Sequence, residues 1–141
     1  MRAGVLAAAA ALASMTPAVA ALAPQPDLTG RWHSVAQSCR DGRCTLTGTF
    51  VARNEGQADA GPFVTRFYLS TDYTLDAGDT LLQERPTTSL RAARATNLNL
   101  SAQIGASAGG KVVIAVVDAA RAVIESDELN NRIGTTISAI Q

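Results

Sequence analysis

The sequence predicts an all-β fold, a sandwich of about seven antiparallel strands. Three observations carry that expectation. Downstream of Pro26 the apolar residues recur with period two, the spacing that puts one face of a strand in a core. Turn-forming residues interrupt that pattern at intervals typical of a sandwich. The run Val112 to Val117 is apolar on both faces, as a central strand covered from both sides should be.

The first strand is expected from Leu28 to Gln37, with Trp32 turned into the core and His33 turned away. Cys39-Arg40-Asp41-Gly42-Arg43-Cys44 follows as a hairpin. Asp-Gly suits a two-residue turn because both central residues need positive φ. Arg40 and Arg43 then form the hydrogen-bonded pair, and Cys39 faces Cys44 at the next pair. Opposed Cα atoms there lie about 4.5 Å apart, close enough for a disulfide. Four intervening residues match neither a C-x-x-C redox site nor a zinc knuckle, so the bond is expected to be structural.

In the second strand Leu46, Gly48 and Phe50 share one face, with Thr45, Thr47 and Thr49 on the other. It ends at Asn54-Glu55-Gly56, where asparagine can bond nearby backbone and glycine accepts positive φ. Phe63, Phe67 and Leu69 alternate with Val64, Arg66 and Tyr68 in the third strand, and a short fourth is expected from Leu81 to Glu84. The fifth is the clearest: Leu98, Leu100, Ala102 and Ile104 face inward against Asn97, Asn99, Ser101 and Gln103. Val112 to Val117 form the sixth, and Ile133, Thr135 and Ile137 the closing strand. Between these two, Ala119 to Arg132 should form a turn or a short helical piece.

The ends and the charge narrow the function classes. Residues 1–20 read as a cleaved export leader: Arg2, then an apolar run from Val5 to Ala13, a break at Pro17, and the small-x-small triplet Ala18-Val19-Ala20. No cysteine follows directly, which argues against a lipid anchor, and no apolar run after Ala23 could span a bilayer. The folded domain is expected over 27–141, in a secreted or periplasmic protein. Twelve basic residues balance twelve acidic ones, which argues against nucleic acid or an anionic membrane surface as partner.

Three segments share a further likeness. They are Val116-Val117-Asp118 with Glu125-Ser126-Asp127-Glu128-Leu129-Asn130-Asn131, then Phe50 to Gly56, and Phe67 to Asp72 followed by Asp76 and Asp79. Together, over about Leu28 to Ile140, the chain resembles the CARDB family, bacterial and archaeal extracellular domains named for cell adhesion. The resemblance implies an immunoglobulin-like β-sandwich with no general enzymatic activity and poorly defined ligands. The expected function is thus an exported, non-catalytic interaction module whose partner is an extracellular or periplasmic protein or glycan. A calcium-dependent carbohydrate-binding module is the alternative; it would need converging aromatics, and Trp32, Tyr68 and Tyr73 do not obviously converge. A hydrolase has least support, because the single histidine has no evident nucleophile beside it.

Acids gather in two loops: Asp72, Asp76 and Asp79, and then Asp118, Glu125, Asp127 and Glu128. Calcium takes about six to eight oxygens, but neither loop has the regular alternation of an EF-hand. Successive strands of a sandwich run up and down, so the two loops should lie at opposite ends. The last loop should instead neighbour Asn54 to Asp59, adding Glu55 and Asp59 as candidate ligands. The irregular spacing favours Asp72 and Asp76 as turn caps, Asn130 and Asn131 as pins of loop backbone, and the other acids as solvated. No cofactor is therefore expected. Calcium at Asp118, Glu125, Asp127 and Glu128 is the sharper alternative.

Overall fold

The structure, a computed structural model, describes residues 23–138. The expected leader at 1–20 and the last three residues of the expected domain lie outside the described residues. Seven strands follow one another: β1 (Leu28–Arg40), β2 (Arg43–Asn54), β3 (Phe63–Ser70), β4 (Thr80–Thr87), β5 (Ala95–Ile104), β6 (Val112–Val116) and β7 (Arg132–Thr136). They form two antiparallel sheets, ordered β1-β2-β5 and β4-β3-β6-β7. There is no helix among the described residues.

The β1–β2 hairpin follows from its turn. Asp41 and Gly42 have φ of 54° and 78°, Arg40 pairs with Arg43, and Cys39 pairs with Cys44 and is disulfide-bonded to it. The register shifts once, between Trp32 and Ser34, leaving His33 as the unpaired residue of a β-bulge. That extra residue changes the phase of the strand. Leu28 and Trp32 turn inward before it, and Val35, Gln37 and Cys39 turn inward after it.

Trp32 lies between the sheets, its ring centroid 5.2 Å from that of Phe50 and 5.3 Å from that of Phe67. Around this trio the core takes Leu46, Leu98 and Leu100 from one sheet and Phe63, Val113 and Ala115 from the other. Val112 and Ile114 point to the opposite face of β6 yet are also buried. Tyr73, from the β3–β4 loop, lies against Val112 and Gly134 on that face, and its hydroxyl is 2.7 Å from Thr136 Oγ1.

One expectation needs correction. The fourth strand is longer than Leu81 to Glu84 and runs through Pro86 to Thr87. Proline is tolerated because β4 is an edge strand, where a missing N–H costs no ladder bond. The Ala119 to Arg132 span, expected as a turn or a short helical piece, opens on a turn and carries no helix. Asp118 and Arg121 take positive φ, 53° and 54°, which stops a right-handed turn from propagating.

Side chains close both seams between the sheets. On one side Thr29 Oγ1, Trp32 Nε1 and Gln37 Nε2 donate to the carbonyls of Asn130, Ile133 and Ser138, each at 2.9 Å and each 101 residues away. A constant separation means that β1 and the chain through β7 run parallel. On the other side Arg85 Nε donates to Asn99 O at 2.8 Å, and Gln83 Oε1 accepts from Ser101 N at 2.9 Å. There one residue number rises as the other falls, so β4 and β5 run antiparallel.

Reduction of Cys39–Cys44 tests how far the hairpin depends on its crosslink. Closing a loop of about six residues contributes about 2 kcal/mol, mostly through the unfolded chain. The melting temperature should fall by about 10 °C, with the protein still folded at room temperature. Complete unfolding by reductant at room temperature, followed by circular dichroism, would contradict this.

Candidate functional site

The loop between β6 and β7 builds a cleft at one end of the sandwich. Its neck is closed by Val117 N donating to Asn131 O at 2.8 Å. Asp118 then reverses the chain. Its Oδ1 accepts from Ala122 N at 2.9 Å and its Oδ2 from Val123 N at 3.0 Å, while its carbonyl takes Arg121 N. Ala119 N donates to Val64 O at 2.8 Å and ties this turn to β3. The aspartate is only 4% exposed, and it serves as the template on which the first half of the loop is wound.

Glu125 organises the second half. Its side chain leaves the loop and meets the start of β1, where Oε1 accepts from Leu28 N at 2.6 Å. Its Oε2 accepts from Asn131 Nδ2 at 2.7 Å, and Asn131 Nδ2 also donates to Val117 O at 3.2 Å. Glu128 folds back so that its Oε2 accepts from Glu125 N at 3.0 Å. Asp118, Glu125 and Glu128 thereby each bring a carboxylate oxygen within 4.8 Å of the others. Asp118, Arg121, Glu128, Leu129, Asn131 and Arg132 help to line the adjoining cleft of about 240 Å³.

Glu125 is 6% exposed, and this burial pushes its carboxyl up from 4.5 to about 7. The bonds from Leu28 and Asn131 oppose the shift; the nearby charges of Glu128 and Asp118 add to it. Burial outweighs the two hydrogen bonds because the charged form loses water that two donors do not replace.

A second knot holds the same end from the other side. Asn54 is fully buried. Its Oδ1 accepts from Asp27 N and Gly56 N, both at 3.0 Å, and its Nδ2 donates to Ala58 O at 2.8 Å and Leu90 O at 3.0 Å. The entering segment Gln25–Asp27 is held by Glu55 N to Asp27 O, Gln57 N to Gln25 O and Ser126 N to Pro26 O. It thus lies between the β2–β3 loop and the last loop.

The residues singled out from sequence divide accordingly. Asn54 and Asn131 bond backbone through their side chains, but Asn130 does not: its Nδ2 donates to the Asp27 carboxylate at 2.8 Å, and only its main-chain carbonyl accepts from Thr29 Oγ1. Gly56 is needed for a different reason than expected. It is absent from the positive-φ glycines, and a Cβ there would sit 2.5 Å from Asp27 N and collide with the Gln25 carbonyl. Asp127 stays outside the carboxylate group and caps a turn through Leu129 N at 2.9 Å. Glu55 and Asp59 are not brought in either, since Glu55 pairs with Arg53 and Asp59 accepts from Ala92 N. Asp72 and Asp76 cap turns through Thr74 N and Gly78 N in the β3–β4 loop, at the opposite end of β3. Trp32 is a core residue, and His33 is exposed on the bulge. Sequence reading missed the bond from Glu125 to Leu28, 97 residues away, and no local pattern could have revealed it.

Two packed antiparallel sheets with loops gathered at the ends define an immunoglobulin-like sandwich. The CARDB family model matches residues 25–135, and the chain belongs to that family. The crystal structure of a CARDB domain from Pyrococcus furiosus, in complex with di-metal ions, is similar at 17% identity and a TM-score of 0.62, covering 85% of this chain and 100% of that one. A solution structure of that Pyrococcus domain matches at 20% identity and a TM-score of 0.57, covering 82% and 98%. A domain spanning residues 272–376 of a Methanosarcina acetivorans protein matches at 20% identity and a TM-score of 0.56, covering 85% and 95%. No curated protein matches the chain. No helix among the described residues is long and apolar enough to cross a membrane.

The raised Glu125 carboxyl has a pH signature with a definite sign. Between 4.5 and about 7 the folded protein holds a proton that the unfolded chain has released. This contribution to stability is complete below 4.5, declines as pH rises, and is gone above about 7. Melting in chelator-containing buffer should show that decline, and Glu125→Gln should remove it. An unchanged pH profile in the variant would refute the assignment.

Proposed function

We propose that this chain is an exported, non-catalytic interaction module of the adhesion type, acting outside the cytoplasm on a protein or glycan partner. The match to the CARDB family over residues 25–135 carries this reading. The Methanosarcina relative comes from a protein named for the cell surface, and the Cys39–Cys44 disulfide fits an oxidising compartment. In this reading residues 1–20 are the leader removed on export, and 27–141 form the working domain.

The site chemistry agrees. The buried acids and amides at the β6–β7 end are bonded to backbone, an arrangement that stiffens loops and activates no nucleophile. His33 is exposed on its bulge, and there is no free cysteine among the described residues. The calcium-dependent carbohydrate-binding alternative is weaker on this geometry. Trp32 is committed to the core, Tyr68 stands in β3 opposite Ile114, and Tyr73 lies over Gly134 with its hydroxyl against Thr136, so none of the three candidate aromatics lines the acidic cleft.

Crosslinking of the immobilised protein to native envelope extract, beside a glycan array, tests the reading. A saturable partner that excess free protein competes away is expected, with turnover of ester and glycoside substrates at background. Array binding in calcium that chelator abolishes would instead favour the carbohydrate reading. Turnover above background would overturn the non-catalytic one.

A further inference from the structure

Three carboxylates with no counter-charge bonded to them need an explanation of their own, apart from the adhesion reading. We propose that Asp118, Glu125, Glu128 and the side-chain oxygen of Asn131 form a binding site for a hard divalent cation of the calcium type. Oxygens that share such an ion at about 2.3–2.6 Å lie within about 5 Å of one another, and these three carboxylates meet that limit at 4.8 Å.

Asn131 supplies the independent observation. It is 8% exposed and lines the cleft beside Asp118 and Glu128, yet its Oδ1 has no hydrogen-bond partner. The amide cannot simply be turned over to satisfy that oxygen. Both partners of Nδ2, Glu125 Oε2 and Val117 O, are acceptors, so the nitrogen must face them. Asn131, a residue of the cleft wall, is thereby left with a buried carbonyl oxygen that accepts no hydrogen bond, at a cost that a cation would remove.

The carboxylates are held in place without being used up. Each of their bonded oxygens accepts one N–H, and a carboxylate oxygen has a second lone pair for a metal. Among the described residues, none bonds to Glu128 Oε1. The ion pairs among the described residues are Arg53–Glu55 and Arg66–Glu84, both elsewhere. Arg121 and Arg132 line the cleft but pair with none of the three acids. The donors are all oxygen, with no imidazole or thiolate, so the site suits calcium rather than zinc. Water would complete the coordination from the open side of the cleft.

The test uses the purified protein, stripped with chelator and titrated with calcium chloride by calorimetry and thermal melting. With a dissociation constant of about 10⁻⁴ to 10⁻³ M, 10 mM calcium should raise the melting temperature by about 5–10 °C. Glu128→Gln alters an exposed side chain and should fold, yet it should lose most of that shift. Asp76→Asn, at the opposite end, should keep it. No binding heat and a shift below about 1 °C would overturn the proposal, as would a full shift retained in Glu128→Gln.

Discussion

The arrangement rests on one buried carboxylate. Glu125 accepts from the backbone of Leu28 at the mouth of β1 and from the amide of Asn131 at the foot of β7. β1 is an edge strand with a ladder partner on one side only, so its first amide has no strand to bond on the other. An unsatisfied buried donor costs about 1–3 kcal/mol, and here a side chain from the far end of the chain meets it. The same carboxylate orients Asn131, whose own backbone closes the last loop through Val117. Entry strand, final loop and final strand are thus joined at one point.

That junction belongs to a wider pattern. A sandwich of two open sheets has four edges, and each edge exposes backbone groups that could recruit a foreign strand. Here side chains span the gaps instead of a continuous ladder. Thr29, Trp32 and Gln37 reach the β7 side, while Gln83 and Arg85 reach β5. Trp32 does two jobs, filling the core between Phe50 and Phe67 while its indole N–H caps an edge carbonyl. Asn54 closes the same end from the β2 side with all four of its side-chain bonds.

What could be read in advance follows the range of each interaction. Strand positions were legible because burial imposes period two over neighbouring residues, as in Leu98, Leu100 and Ile104. The hairpin was legible because Asp41-Gly42 sets its register locally and Cys39 and Cys44 sit one pair farther on. Asn54 could be read as a backbone-bonding residue, but its partners Asp27 and Leu90 are distant in sequence. Gly56 was picked out for the wrong reason, because crowding by the incoming segment is a tertiary fact. The acids of the last loop look equivalent in sequence. Only the fold separates Asp127, which faces its own turn, from Asp118, Glu125 and Glu128, which converge.

The claim that Glu125 secures the start of β1 is tested most directly by amide hydrogen exchange at Leu28. The account predicts that Leu28 N–H is protected to the level of core amides such as Val113, and that Glu125→Ala releases Leu28 while Val113 stays protected. Exchange of Leu28 in the unaltered protein as fast as that of the exposed loop residue Gly105 would contradict it.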